Sequence, residues 1–134
     1  MKIRVVSSKE EISTLGTNEE IIHLAFRPSN TDILELITRC PKVKALHIPA
    51  SYKRTISHSS IMFLEMQGID LVEGDVWGHR KDINDYSEVS QRIYDLIDEY
   101  KEKGMSEEEI VDKMTREEMH MSKDLLRFII KSRM

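Results

Sequence analysis

The stretch His47-Ile-Pro-Ala-Ser-Tyr-Lys-Arg-Thr-Ile-Ser-His-Ser-Ser60 places two adjacent cations among hydroxyls and imidazoles. Arginine forks beside serine and threonine hydroxyls are the groups that hold phosphate or carboxylate, through charge-assisted hydrogen bonds. Two other stretches carry the same chemistry, Arg27-Pro-Ser-Asn-Thr31 and Trp77-Gly-His-Arg-Lys81. Across residues 27–31, 51–60 and 75–82 the cations Arg27, Lys53, Arg54, Arg80 and Lys81 face only Asp75 and Asp82, a local net charge of +3. Arg27, Lys53, Arg54, Ser57, His58, His79 and Arg80 are therefore the candidate ligand-binding set for a small anion. A plainer reading competes with it: Ser, Thr and Asn before helices are caps, and loop cations are ordinarily solvated. Neither standard glycine-rich phosphate loop is present.

The histidines offer other chemistry. His23 and His47 fall in the middle of apolar runs, and His58 and His79 lie on the basic loops, so an acid–base or metal cluster is one reading. The spacing contains no HExxH or other ligand signature, and strand histidines are mostly satisfied core groups, so no metal is assigned. An enzyme acting on a phosphorylated metabolite would use His58 or His79 as acid or base and Arg54 or Arg80 on the phosphate. No nucleophile–base pair, carboxylate pair or cofactor fingerprint is legible, so catalytic residues are left open and no cofactor is assigned. Trp77, with Gly74 and Gly78 around it, reads as a tight loop whose ring is a packing lid rather than a stacking platform. The single cysteine, Cys40, before Pro41 at a helix end, reads as a semi-buried structural thiol that fits a reducing compartment.

These loops need a scaffold. Four β-branched runs, Ile3–Val6, Ile21–Phe26, Val43–Ile48 and Ile69–Val72, have the look of strands, with helical spacing at Glu10–Leu15, Ile33–Ile37 and Ile61–Met66 between them. The alternation predicts right-handed βα units in a parallel four-stranded sheet. His23 and His47 occupy equivalent places in a repeat of 24 residues, and Ile69 lies 24 beyond Ala45. The fold class expected is α/β, a small parallel sheet of βα repeats, Rossmann-like or resembling short leucine-rich repeats. In such sheets ligands collect at the carboxyl ends of the strands, where the basic loops would lie.

From Asn84 onward the pattern is helical only. Ile93, Leu96, Ile97 and Tyr100 form one stripe ended by Gly104; Ser106 with Glu109 and Thr115 with Glu118 make capping boxes for two further helices. The expected organisation is one domain over 1–134, with 1–83 as the βα layer and 84–134 as a helical extension.

Charge and hydropathy bound the function classes. Of the net −4, residues 1–83 contribute nothing (11 Lys and Arg against 11 Asp and Glu) and 84–134 carry all of it (9 against 13), so global charge does not favour nonspecific nucleic-acid binding. No apolar run reaches the roughly 18 residues of a spanning helix, and the start MKIRVVSSKEE lacks a signal-peptide core, so the chain is expected off the membrane and in the cytoplasm.

The last two helices imitate a helix-turn-helix, with Lys123, Arg127, Lys131 and Arg133 on the second. A turn spanning Met114 to Leu125 is too long for the usual motif, and Glu107, Glu108, Glu109, Glu117 and Glu118 would repel phosphates, so nucleic acid is the alternative partner and not the favoured one. Met105, Met114, Met119, Met121, Phe128 and Met134 give this segment more apolar surface than a short hairpin buries, which predicts a homodimer through these helices.

The runs EMQGIDLVEGDVWGHRKDI, ALHIPASYKRTI, KGMSEEEIVDKM and MSKDLLRFIIKSRM together resemble a family of short archaeal proteins, mainly of methanogens, catalogued as a domain of unknown function. The resemblance spans nearly the whole chain and implies no activity, cofactor or site residue. The reading from the residues is a binding or regulatory module for a small anionic ligand, with the DNA-binding regulator and the small enzyme as alternatives.

Overall fold

A computed structural model describes residues 1–76, 85–117 and 121–133. Its strands are β1 (Lys2–Val6), β2 (Ile21–Leu24), β3 (Ala45–Ile48), β4 (Asp70–Glu73) and β5 (Tyr86–Glu88). Its helices are a 3-10 helix (Lys9–Thr14), α1 (Asn30–Arg39), α2 (Ala50–Lys53), α3 (His58–Met66), α4 (Gln91–Glu102), α5 (Glu107–Arg116) and α6 (Lys123–Ser132). One sheet runs in the order β4-β3-β2-β1-β5. The strands β1 to β4 pair in parallel, as their helical connections require, and β5 is antiparallel to β1.

The mixed five-stranded sheet corrects the expectation of four strands. Tyr86-Ser-Glu88 is too short and too polar to show a strand period, and only its pairing with Lys2–Arg4 makes it one. The segment from residue 84 is accordingly not helical throughout. The repeat is also one residue off at its last step. Ile21 pairs with Ala45, an offset of 24, but Ala45 pairs with Asp70, an offset of 25. Because side chains alternate at period two, that single residue decides that Val72, not Leu71, lies in the row of His47.

Each face of the sheet has its own helices. Val6, Ile22, Leu24, Leu46 and Ile48 point to one side, where Ile12 of the 3-10 helix, Ile33 and Leu36 of α1 and Leu64 of α3 cover them. Cys40 is fully buried there, deeper than the semi-buried thiol expected, and burial pushes its pKa up. Ile3, Ile21, Ala45 and Val72 point to the other side, under α4, α5 and α6.

The helices begin where short polar side chains satisfy free amides: Ser29 with Asp32, Ser57, Ser106 with Glu109, and Ser122. The box expected at Thr115 is not used, because α5 runs on through Arg116 and the Thr115 hydroxyl donates to the Val111 carbonyl at 2.7 Å. Among the described residues of the C-terminal segment, Met114 is fully buried, and Met105, Met121 and Phe128 pack against the sheet-side core. These four residues therefore lend no support to the expected homodimer, and Met119 and Met134 lie outside the described residues. Among the described residues the exposed large apolar side chains are Leu34 on α1 and Met62 and Met66 on α3, on the opposite layer.

Candidate functional site

The parallel register lines up Val5, His23, His47 and Val72 as one row near the carboxyl ends of β1 to β4. In the strands β2 and β3 these positions face α4–α6, and both imidazoles are fully buried there. Nδ1 of His23 lies 2.9 Å from Nδ1 of His47, so one ring donates and the other accepts a single shared proton. Nε2 of His23 is 3.6 Å from Asp75 Oδ1, which favours the proton of His23 on that nitrogen and hence Nδ1–H on His47. The Nε2 of His47 is then an acceptor, and it has no hydrogen-bond partner among the described residues.

Over that nitrogen the chain can pass only as glycine. The Gly74 amide donates to the Ile48 carbonyl at 2.8 Å, turning the backbone across the end of β3. A Cβ on Gly74 would lie 2.5 Å from His47 Nε2 and 2.5 Å from the Ser122 hydroxyl. Gly74 is thus packed against both His47 and Ser122. Burial and the neighbouring His23 lower the His47 pKa to about 4, against the opposing pull of Asp75 and Asp124.

The other half of the site is the first turn of α6. Ser122 accepts from the Leu125 amide at 3.1 Å, and Asp124 Oδ2 accepts from the Glu73 amide at the end of β4, also at 3.1 Å. Lys53, from α2, stands 3.7 Å from both the Glu73 and the Asp124 carboxylates. The start of α6 is therefore clasped to the carboxyl edge of the sheet.

The candidate anion-binding residues divide. Lys53 is drawn to carboxylates. Arg27 stacks its guanidinium 5.5 Å above the Tyr52 ring. Arg54, ending α2, and His58, opening α3, are exposed on the same edge. Ser57 is committed to structure: it caps α3 and donates to Asn30 Oδ1 at 2.6 Å, joined there by the Ser60 hydroxyl, which ties the starts of α1 and α3 together. His79, Arg80 and Trp77 lie outside the described residues. Among the described residues no three His, Cys, Asp or Glu side chains form a metal-binding group.

Sequence reasoning missed Ser122 and Asp124, and read Gly74 only as part of a tight loop around Trp77. Ser122-Lys-Asp-Leu125 does carry a helix-start signature; its landing on β4 is a contact across 51 residues that no local pattern encodes. Beside Asp75 a cavity of about 210 Å3 opens between the sheet, α4 and α6, lined by Ile3, Val89, Ile93 and Leu125. Asp75 and Glu88 also line it, which gives it the wrong sign for an anion.

Three of the four cations on and after α6 are engaged with carboxylates. Lys123 is 3.7 Å from Asp112, Arg127 reaches Glu108 at 3.2 and 3.3 Å, and Arg133 reaches Asp98 at 3.3 and 2.5 Å. Six residues, 117–122, separate α5 from α6.

No helix among the described residues is long and apolar enough to cross a membrane. Neither a curated protein nor a solved structure matches the chain. Two family models do: residues 2–85 match the N-terminal domain of a family of unknown function (DUF1699), and residues 92–131, which hold nearly all of α4–α6, match its C-terminal HTH domain. With both of its parts matched in order, the chain belongs to the DUF1699 family.

Proposed function

We propose that the protein is a ligand-responsive regulatory module: the carboxyl edge of the sheet takes a small phosphate- or carboxylate-bearing ligand, and α4–α6 respond to it. One observation carries this reading, the double role of Asp124, which accepts from the Glu73 amide and faces Lys53. An anion arriving at Lys53 competes with Asp124 and Glu73 for the ammonium, while Arg54 and Arg27 bring positive charge and His58 an imidazole to the same edge. Occupancy of the edge and attachment of α6 thus depend on the same lysine.

Calorimetric titration of pyrophosphate, ATP and a sugar phosphate at low salt tests the ligand. The expected result is saturable binding to at least one of them, weakened roughly 10- to 100-fold by Arg54→Ala with the fold intact. No binding across the panel, or equal binding by both proteins, removes the anion site.

The description of the C-terminal match as an HTH domain favours a second reading in which the response is DNA binding. Residues 92–131 carry 8 Lys and Arg against 11 Asp and Glu, so charge alone attracts little DNA. A recognition helix reads bases with its N-terminal residues, and in α6 these rest on the sheet. DNA binding would require α6 to leave the edge. Anisotropy of a labelled duplex at low salt should then be weak for the protein alone and rise when the edge ligand, or Lys53→Ala, releases α6. Unchanged anisotropy in every case leaves the response to a protein partner.

A further inference from the structure

Two imidazoles packed Nδ1 to Nδ1 have room for one proton between them. With the proton of His23 placed on Nε2 beside Asp75, Nε2 of His47 is left as a lone pair with no hydrogen-bond partner among the described residues. Whichever ring is then written as the cation, the next proton taken up ends on that nitrogen, because the bridging proton only shifts from one Nδ1 to the other. The new N–H lies buried against the backbone at Gly74, and that nitrogen has no hydrogen-bond partner among the described residues.

We propose that the His23–His47 pair is a one-proton latch on α6: neutral, it lets the first turn of α6 close over Gly74, and with one added proton it drives that turn off the sheet. This inference rests on the proposed role of α6 as the responding element. Among the described residues, these groups face the pair. Asp75 follows β4, Ser122 and Asp124 come from the start of α6, and Val5 and Val72 flank the row on β1 and β4. Lys53 and Glu73 contact Asp124 in turn. Asp75 and Asp124 favour the added proton; burial and the second imidazole oppose it and prevail. Opening at Ser122 admits water to Nε2 and removes that opposition.

The sign follows from proton counts. In the closed form His47 has its pKa lowered to about 4, and in an open, hydrated form it returns towards its ordinary 6.5. Between those values the open form binds more protons, so closure weakens as pH falls through this window and changes little outside it. The opening equilibrium should rise about tenfold per pH unit there. By the same linkage, an anion that pulls Asp124 off Lys53 should be taken up together with a proton.

Hydrogen exchange on the full chain, corrected for the intrinsic rate, tests this from pH 7 to pH 4.5. The amides of Leu125 and Leu126 in α6 should lose protection about tenfold per pH unit below 6.5, while those of Leu36 and Ile37 in α1 stay level. His47→Gln should abolish the slope. If that variant does not fold, nitrogen NMR of the wild-type histidines replaces it: Nε2 of His47 should change from acceptor to N–H along the same curve as the opening. A flat α6 profile, an equal loss in α1 and α6, or a slope that survives in His47→Gln overturns the latch. Because binding of pyrophosphate or ATP is measured separately at pH 7.5, loss of the latch leaves the ligand reading standing, and absence of binding does not disturb the latch.

Discussion

The two faces of the sheet use the same strands to opposite ends. On the side of α1 and α3, β2 and β3 present Ile22, Leu24, Leu46 and Ile48, and the covering helices arrive within a few residues of each strand. On the side of α4–α6 the same strands present Ile21, His23, Ala45 and His47, and the cover comes from the far end of the chain. The first face is closed by local aliphatic repeats. The second is closed from a distant part of the chain and over polar groups, which suits the proposed release of α6.

The largest break in this contrast is on the aliphatic face. Leu46 is fully buried on β3 beneath the helices; Leu46→Ala should cost roughly 3 kcal/mol in denaturant unfolding, with no special effect on α6. A loss well below 1 kcal/mol would mean that this face is not the main store of stability.

Gly74→Ala probes the other face. Its methyl group would sit 2.5 Å from both His47 and Ser122, so overpacking should cost roughly 1 to 3 kcal/mol, and exchange should rise first at Leu125 and Leu126. Equal loosening of α1 would place the strain in the whole sheet instead.

Asp124→Asn keeps the shape while removing the charge that faces Lys53. With both groups about a third exposed, solvent screening holds the expected loss to about 1 kcal/mol or less. The informative readout is ligand affinity, which should rise as the competing carboxylate is lost. Smallest is Arg54→Ala, whose exposed side chain should change stability by less than about 0.5 kcal/mol while weakening anion binding.

The aliphatic face was largely legible in the sequence, since β-branched runs at a near-constant spacing dictate parallel strands with helices between them. The His23–His47 pairing was legible too, through the 24-residue offset that becomes the strand register. What could not be read is long-range. Tyr86–Glu88 is a strand only because β1 offers it an edge, and Asp124 meets Lys53 only because α6 folds back over β4. Lys53 looked like a ligand group, and its carboxylate partners are distant in sequence, so residue type alone could not reveal that the basic edge holds a helix of its own chain.

Amide NMR during titration of ATP at pH 7.5 tests most directly whether that edge and α6 form one unit. If they do, Lys53–Thr55 and Leu125–Arg127 shift together with a single apparent dissociation constant, and Asp124→Asn uncouples the two sets. Saturable shifts confined to residues 53–55, with α6 unmoved at full occupancy, would contradict the coupling between the basic edge and the helices.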